Sequence, residues 1–490
     1  MIQQPNNTNK GAFYTLVSVF FFWGFVAASN DILIPVFKEK LHLEVWQSQM
    51  IAFCFYIAYT VGSLIYTGLS KASGGDMLNK IGYKNGIAIG LLISAIGTLL
   101  FYPAANSGSF NLTLAGLFIV GLGFSLQQTA ANPLAIVIGD PKSGAQRLSL
   151  AGGVNNFGTT IGPLIVSFAI FGSSTGNSSE LSISSVKVPY LILGAAFILV
   201  ALVFKFSSLP NKIETQDDVT EGSAGVPARK SVFNYPQLVL GMLAIFIYVG
   251  VEVSTASHLP IYIQEKIKHI DGSAFRTDEV APFVSLYWAS LMIGRWTAAV
   301  GAFNLKDSTR KLLSIIMPYI AFAVFLLVNV IAKHDISHFY VYAAVIVVMI
   351  IADLLSRGNP ARQLLLFSSL GIVALVIGML TEGMVSVYAL TSVGLFCSTL
   401  WPCIFTLSIA GLGKHTNEGS SFLIMMIMGG ALIPLLQGIL AGDAILGIHH
   451  SFIVGAACFA YLAFFAVKVT GILKAQGIDY DKAAATGGGH

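Results

Sequence analysis

Apolar stretches long enough to cross a bilayer follow one another along almost the whole chain, separated by short polar breaks. In the first half the pattern predicts spans over 12–37, 47–70, 85–102, 110–139, 148–171 and 188–206. A hydrophilic stretch at 207–235, holding Glu214, Asp217, Asp218, Glu221, Arg229 and Lys230, reads as a linker. Eight further spans are predicted over 236–263, 280–303, 312–331, 339–355, 364–380, 384–412, 420–440 and 450–467.

The fold class that follows is all-α and membrane-embedded, with fourteen transmembrane helices and both termini cytoplasmic. With that orientation most of the 27 Lys and Arg fall at cytoplasmic ends, and deleting one span would spoil the bias. Composition agrees. The chain is 55% hydrophobic and 10% charged, against about 25% charged in soluble domains. Its net charge of +4 contains no basic run that would suit nucleic acid. Cys54, Cys397, Cys403 and Cys458 all lie within apolar stretches without a metal or redox spacing. The first apolar run is too long for a cleavable leader, and Ala483 to His490 (AAATGGGH) reads as an appended end.

An internal repeat organises the helices. Asn132-Pro133 is followed one helix later by Pro163, and Trp401-Pro402 is followed one helix later by Pro434. Matching the two pairs makes the fourth and fifth spans counterparts of the 384–412 and 420–440 spans. The second half then carries two helices too many. The expected organisation is a six-helix bundle over 1–206, the linker 207–235, a second bundle over 236–474 and a tail over 475–490. The second bundle includes an inserted hairpin at about 310–356.

An ionised side chain at the bilayer centre costs about 2.5–3.5 kcal/mol on insertion scales, so intramembrane charges are functional candidates. Asp31 lies late in the first span, and Glu252 lies mid-span between apolar neighbours; both are expected to couple a cation. Arg295, at a cytoplasmic end, is expected to snorkel or to form a structural pair. Asp353 reads as an end-of-helix residue and His258 as a hydrogen-bonded structural histidine.

Neutral polar groups speak to what is bound. Gln128 and Asn132 share a helix face, Pro133 frees a carbonyl beside them, and Gln127 adjoins. Asn155 and Asn156 follow on the next helix, and Asn30 stands beside Asp31. Carboxamides both donate and accept, which suits an uncharged polyhydroxylated solute; interhelical glue is the competing reading. Trp23, Phe22, Tyr248, Tyr287, Trp288 and Trp401 are candidate stacking platforms. Arg147 and Pro402 are assigned structural or gating roles with Arg295 and Pro133. HExxH and Walker patterns are missing, so an enzyme is not expected, nor a cofactor. No metal set is expected, although Na⁺ would suit the oxygens near Asp31 or Glu252.

The loop Gly75-Asp76-Met-Leu-Asn79-Lys80-Ile-Gly82-Tyr83-Lys84 resembles the signature loop of the major facilitator superfamily, with Asn79 in the acidic position. Further stretches resemble the fucose/proton symporter family of that superfamily, especially its bacterial glucose/galactose branch. They are Trp23-Gly24, Asn30 to Pro35, Thr129 to Pro133, Arg147 to Ala151, Gly158 to Pro163, Ile293 to Arg295, and Gly419 to Phe422. The resemblance implies two six-helix bundles and alternating access. It also implies import of a neutral hexose in symport with H⁺, or alternatively Na⁺, by a monomer in a bacterial inner membrane. By the same resemblance Asp31 matches a sugar or proton aspartate and Asn155 a sugar-binding asparagine. The family's partner glutamine is Gly152 here, its first-helix asparagine is Ala28, and the protonatable glutamate of the fucose carriers is Gln128. A passive facilitator, or a symporter for fucose or N-acetylglucosamine, is the alternative. A drug exporter and a sugar sensor on the same scaffold fit the polar pattern less well.

Overall fold

The computed structural model describes residues 10–40, 45–139, 143–171, 187–207, 209, 231–268, 272–275, 277–303, 305–442 and 444–481. Within these, the side chains of 10, 27–40, 45–52, 163–171, 277 and 278 lie outside the description. Asn30 and Asp31 therefore sit on a described helical backbone with their side chains outside it. Linker residues 210–230 and tail residues 482–490 lie wholly outside.

The described backbone is helical apart from one isolated bridge, Lys268 to Ala274, and the connecting turns. In chain order come α1 (Lys10–Lys40), α2 (Val45–Ala72), α3 (Met77–Ile81), α4 (Tyr83–Leu99), α5 (Phe101–Ser107), α6 (Phe110–Val137), α7 (Gly144–Phe171) and α8 (Lys187–Phe206). After the linker come α9 (Pro236–Lys266), α10 (Thr277–Ala299), α11 (Asp307–Ile331), α12 (Tyr342–Ser356) and α13 (Pro360–Leu380). The last are α14 (Gly383–Cys397), α15 (Leu400–Ile409), α16 (Thr416–Met425), α17 (Gly429–Leu440), α18 (Gly447–His450) and α19 (Ile453–Ala475). Among the described residues 11 helical stretches are long and apolar enough to cross a membrane, and Gly11–Val26 is a shorter apolar one. Helices satisfy their own backbone groups, which hydrocarbon requires.

Two expected spans are interrupted. The 384–412 span breaks between α14 and α15 at Ser398-Thr399, because Pro402 cannot donate to the Ser398 carbonyl. The 420–440 span tightens into a 3-10 turn at Met426–Met428 before α17. The 85–102 span extends instead to Tyr83–Ser107, since its polar end residues continue the helix.

The chain forms two compact units. One comprises Met1–Pro141, Phe157–Asn234 and Leu412–Met428; the other comprises Lys142–Asn156, Tyr235–Gly411 and Gly429–His490. The first is built around α4, which packs most extensively on α6 and next on α8, with α2 and α16 also on α6. The α4–α6 contact is a seam of glycines, Gly90 and Gly97 facing Gly116 and Gly123, where the two backbones touch. Phe101 stacks on Tyr190 at 4.1 Å, fixing α5 to α8. In the second unit α13 packs on α19, α14 and α15, and α9 on α17, α19 and α15. α11 lies chiefly on α10, and α12 on α13. The tail closes onto this unit through Asp481, which accepts from Asn359, Arg362 and Lys474 at 2.8, 3.0 and 2.7 Å.

The outward faces of these helices are apolar, as on α8 (Ile192, Leu199, Val203) and α11 (Leu312, Leu327, Val330). Three thiols, Cys397, Cys403 and Cys458, are buried, and Cys54 is half-buried.

Candidate functional site

The second unit gathers its polar chemistry around α9. Tyr248 and Glu252 lie one turn apart on one face, where the Tyr248 hydroxyl and the Glu252 carboxyl interact. The Tyr287 hydroxyl of α10 donates to the Glu252 backbone oxygen at 2.8 Å. Trp401 packs tilted against Tyr248 with ring centroids 6.2 Å apart. Glu252 is half-buried.

Arg295 does not snorkel. Its guanidinium turns inward, where Nε donates to Ser398 O at 2.9 Å and Nη1 to Asn156 Oδ1 at 2.7 Å. Nη1 also lies 3.4 Å from Gly152 O, and Nη2 lies 3.4 Å from the Tyr248 hydroxyl. The Ser398 carbonyl is the one Pro402 leaves vacant, so the kink supplies an acceptor and Arg295 fills it. Arg147, almost fully buried, donates through Nη1 to Ser143 Oγ at 2.7 Å. His258 Nδ1 lies 2.8 Å from Ser254 O, as expected of a structural histidine. Asp353 accepts from Gln363 Nε2 at 2.9 Å, which ties α12 to α13.

The first unit holds the amides of α6. Gln127 is fully buried, its Oε1 accepting from Trp23 Nε1 at 2.7 Å and its Nε2 donating to Ser94 Oγ at 3.0 Å. Both ends of that amide are spent inside the bundle, so Trp23 and Gln127 fit interhelical glue better than solute binding. Gln128, half-buried, donates to the Tyr59 hydroxyl at 3.2 Å. Asn132 is 1% exposed and its Nδ2 has no hydrogen-bond acceptor among the described residues. Beside it the Thr129 carbonyl, vacated by Pro133, accepts from Ser420 Oγ of α16 at 3.1 Å. Replacing Ser420 with Ala strips this proline-vacated acceptor of its donor. We expect a loss of about 1–3 kcal/mol of stability, read by thermal unfolding in detergent. An unchanged midpoint would show that the carbonyl finds another donor.

The signature loop is held by the Asn417 amide of α16. Asn417 Nδ2 donates to Asp76 Oδ1 at 2.9 Å and to Asn79 Oδ1 at 3.2 Å, while its Oδ1 accepts from the Tyr83 hydroxyl. Asp76 also accepts from Tyr66 at 2.8 Å and caps α3. Lys80 donates to the Ser73 carbonyl.

Sequence reasoning missed Ser94, Tyr59, Asn417, Ser398 and Ser420 as partners. Of these Ser398 was findable as a vacant acceptor, since the residue four before a helix proline loses its backbone donor. Asn155 stands half-buried next to Asn156.

Helices of spanning length, one of them broken ahead of a proline, and buried polar side chains mark a multi-pass membrane protein. The chain belongs to the Major Facilitator Superfamily, whose family profile matches residues 12–352. It is 32% identical over 454 residues to the glucose/galactose transporter of Brucella abortus biovar 1 (strain 9-941), covering 93% of each chain. It is 27% identical over 470 residues to the L-fucose-proton symporter of Escherichia coli (strain K12), covering 93% of this chain and 92% of that one. The crystal structure of the transporter FucP in the outward conformation matches with a TM-score of 0.69 and 26% identity, covering 93% of this chain and 98% of that chain.

Proposed function

We propose that this protein imports a neutral hexose of the glucose/galactose type by alternating access, in symport with a cation, across a bacterial inner membrane. The observation that carries the reading is Glu252, a carboxyl in a spanning helix linked through Tyr248 to Arg295 and onward to the Asn156 amide. A facilitator has no use for such a carboxyl. The names carried by the relatives point to sugars, and that of the E. coli relative to proton coupling.

The proton is favoured over Na⁺ for a physical reason. The guanidinium beside Glu252 opposes any added cation, but a proton binds one carboxyl oxygen without the shell of further oxygen ligands that a metal cation needs. Protonation adds no bulk and removes the charge in place. We assign coupling to Asp31 and Glu252. Substrate contact is assigned to Asn30, Gln128, Asn132, Asn155, Tyr248, Tyr287 and Trp401. Asn132 has an unsatisfied buried donor that a sugar hydroxyl would satisfy. Trp23 and Gln127 position that helix, and Asn156 serves through Arg295.

We further infer that 310–356 is an inserted hairpin in a fourteen-helix chain, with the termini cytoplasmic and the protein monomeric. The pairings support the insertion: α4 packs on α6 and α8 as α13 packs on α14 and α19. That match makes α13 the counterpart of α4 and leaves α11 and α12 without counterparts.

Proteoliposome uptake of labelled glucose, galactose, fucose and N-acetylglucosamine, with proton and sodium gradients imposed separately, tests the reading. Accumulation of glucose or galactose under a proton gradient is expected. Equilibration without accumulation under either gradient would overturn symport, and accumulation of fucose or N-acetylglucosamine alone would overturn the substrate.

A further inference from the structure

We propose that Arg295 is a positioning residue that carries the charge state of Glu252 to the hold on the 142–156 segment of α7. The inference rests on the cation-symport reading above and adds the residue that transmits the cation's effect.

The guanidinium is a fork whose prongs reach three different elements. Nε holds Ser398 O at the α14–α15 break, Nη1 holds Asn156 and Gly152 on α7, and Nη2 meets the Tyr248 hydroxyl on α9. The sequence makes room for it. A Cβ at Gly152 would stand 3.0 Å from Nη1, and one at Gly153 would stand 2.7 Å from Trp296 Cδ1. Two consecutive glycines thus give a bare stretch of backbone on which Arg295 and Trp296 lie. Trp296 Nε1 donates to Gly153 O at 3.1 Å, reinforcing the same hold.

Among the described residues, the acceptors that meet Arg295 directly are two carbonyls, one amide oxygen and one phenol, all uncharged. Its charge is answered by Glu252 through Tyr248. When Glu252 is ionised, it draws the Tyr248 proton toward itself. The phenol oxygen then becomes a better acceptor for Nη2, and the guanidinium divides its interaction between α9 and α7. When Glu252 is neutral, that pull weakens and the charge of Arg295 is met by the oxygens of Asn156, Gly152 and Ser398. The hold on 142–156 tightens on neutralisation and loosens on ionisation. Arg suits the task where Lys does not, because only a planar fork keeps three fixed directions at once.

The other groups around Glu252 do not offer a rival route. Tyr287 on α10 and Cys397 on α14 interact with it, but neither is a cation. α17 carries no titratable side chain, and α15 and α19 bring the thiols Cys403 and Cys458; Tyr461 of α19 donates to Leu240 O, Lys468 lies over Phe464, Lys474 pairs with Asp481, and His449 of α18 is engaged with Gly378 O.

Trp296 reports the hold without any transport. In purified full-length protein its emission, identified by difference from Trp296→Phe, should titrate with pH. Glu252→Gln should abolish that titration, and so should Arg295→Gln although the carboxyl remains. In proteoliposomes the midpoint of the pH profile of uptake should move to higher pH by about one unit or more in Arg295→Gln. Arg295→Lys should restore the profile only in part, and the double variant should behave as Glu252→Gln alone. Should Arg295→Gln fail to fold, Tyr248→Phe cuts the chain at its middle and must also silence the Trp296 titration.

Uptake lowered equally at every pH, with the Trp296 titration intact in Arg295→Gln or Tyr248→Phe, would reduce Arg295 to a strut and overturn the proposal. If wild-type uptake ignores both gradients while Trp296 still titrates through Glu252 and Arg295, the symport reading fails and this link stands. Gradient-driven uptake with a Trp296 titration indifferent to both residues would overturn the link and leave symport standing.

Discussion

Glu252→Gln is expected to lose accumulation while keeping exchange. Each pH unit of imposed gradient is about 1.4 kcal/mol per proton, enough for about a tenfold accumulation at one proton per sugar. In the variant the ratio of internal to external sugar should settle near one at any gradient. Counterflow of labelled against unlabelled sugar should persist within about tenfold of wild type, since exchange needs no proton release. The amide keeps the shape of the side chain and can hydrogen-bond Tyr248, so the fold is not at issue. What it lacks is an ionised form whose cost in the membrane interior is relieved by a cation. Retained accumulation would remove Glu252 from coupling and leave Asp31 to be tested alone.

The second large effect is expected in the glycine seam. A Cβ at Gly123 would collide with Ser94 and with the Gly90 carbonyl, and one at Gly97 would stand 2.6 Å from Val120 N and 2.7 Å from Gly116 O. These neighbours are largely backbone, so no rotamer change relieves them. Gly123→Ala should cost about 1–3 kcal/mol, the range for overpacking, seen as a lowered unfolding midpoint. Gly123→Leu should yield no monodisperse protein in detergent. Parting α4 from α6 would also undo the Ser94 bonds to Val120 O (3.2 Å) and to Gln127 (3.0 Å), and with them the setting of Trp23. Gly471→Ala is the control, because nothing lies within 4 Å of a Cβ there and an alanine in a helix is favoured over glycine by about 0.5–1 kcal/mol. Equal behaviour of the two alanine variants would sink the argument from close approach.

Where the helices lie was legible because hydrocarbon leaves the backbone no other choice. Pro133 was legible as the source of a free carbonyl, Pro402 as its counterpart in the internal repeat, and Glu252 as a charge that capping does not explain. The donors that answer those carbonyls were not. Ser420 and Arg295 reach them across sequence separations that no local pattern encodes. For Arg295 the sequence left snorkelling and a structural pairing open, and the side chain turns inward to hydrogen-bond. Its position near a helix end suggests snorkelling, but side-chain direction is set by what lies opposite, here Gly152 and the Tyr248 hydroxyl. Gln127 looked like a solute ligand because its chemistry suits one, and its engagement by Trp23 and Ser94 depends on tertiary neighbours. The break at Ser398-Thr399 was hidden within a continuous apolar run, since hydropathy does not register a missing N–H. The anchoring of the loop through Asp76 likewise needed Asn417 in place.

The burial of three of the four cysteines has a practical side. A thiol reacts as its thiolate, and a thiol packed in apolar surroundings is inert to aqueous reagents. Cys397, Cys403 and Cys458 are held in that condition, which leaves Cys54 with appreciable access. A single Cys54→Ser replacement therefore provides a silent background for maleimide probes introduced one at a time along α7 or α16. The movements on which transport depends can then be followed by labelling rate, without rebuilding the interior of the protein to remove its native sulfur.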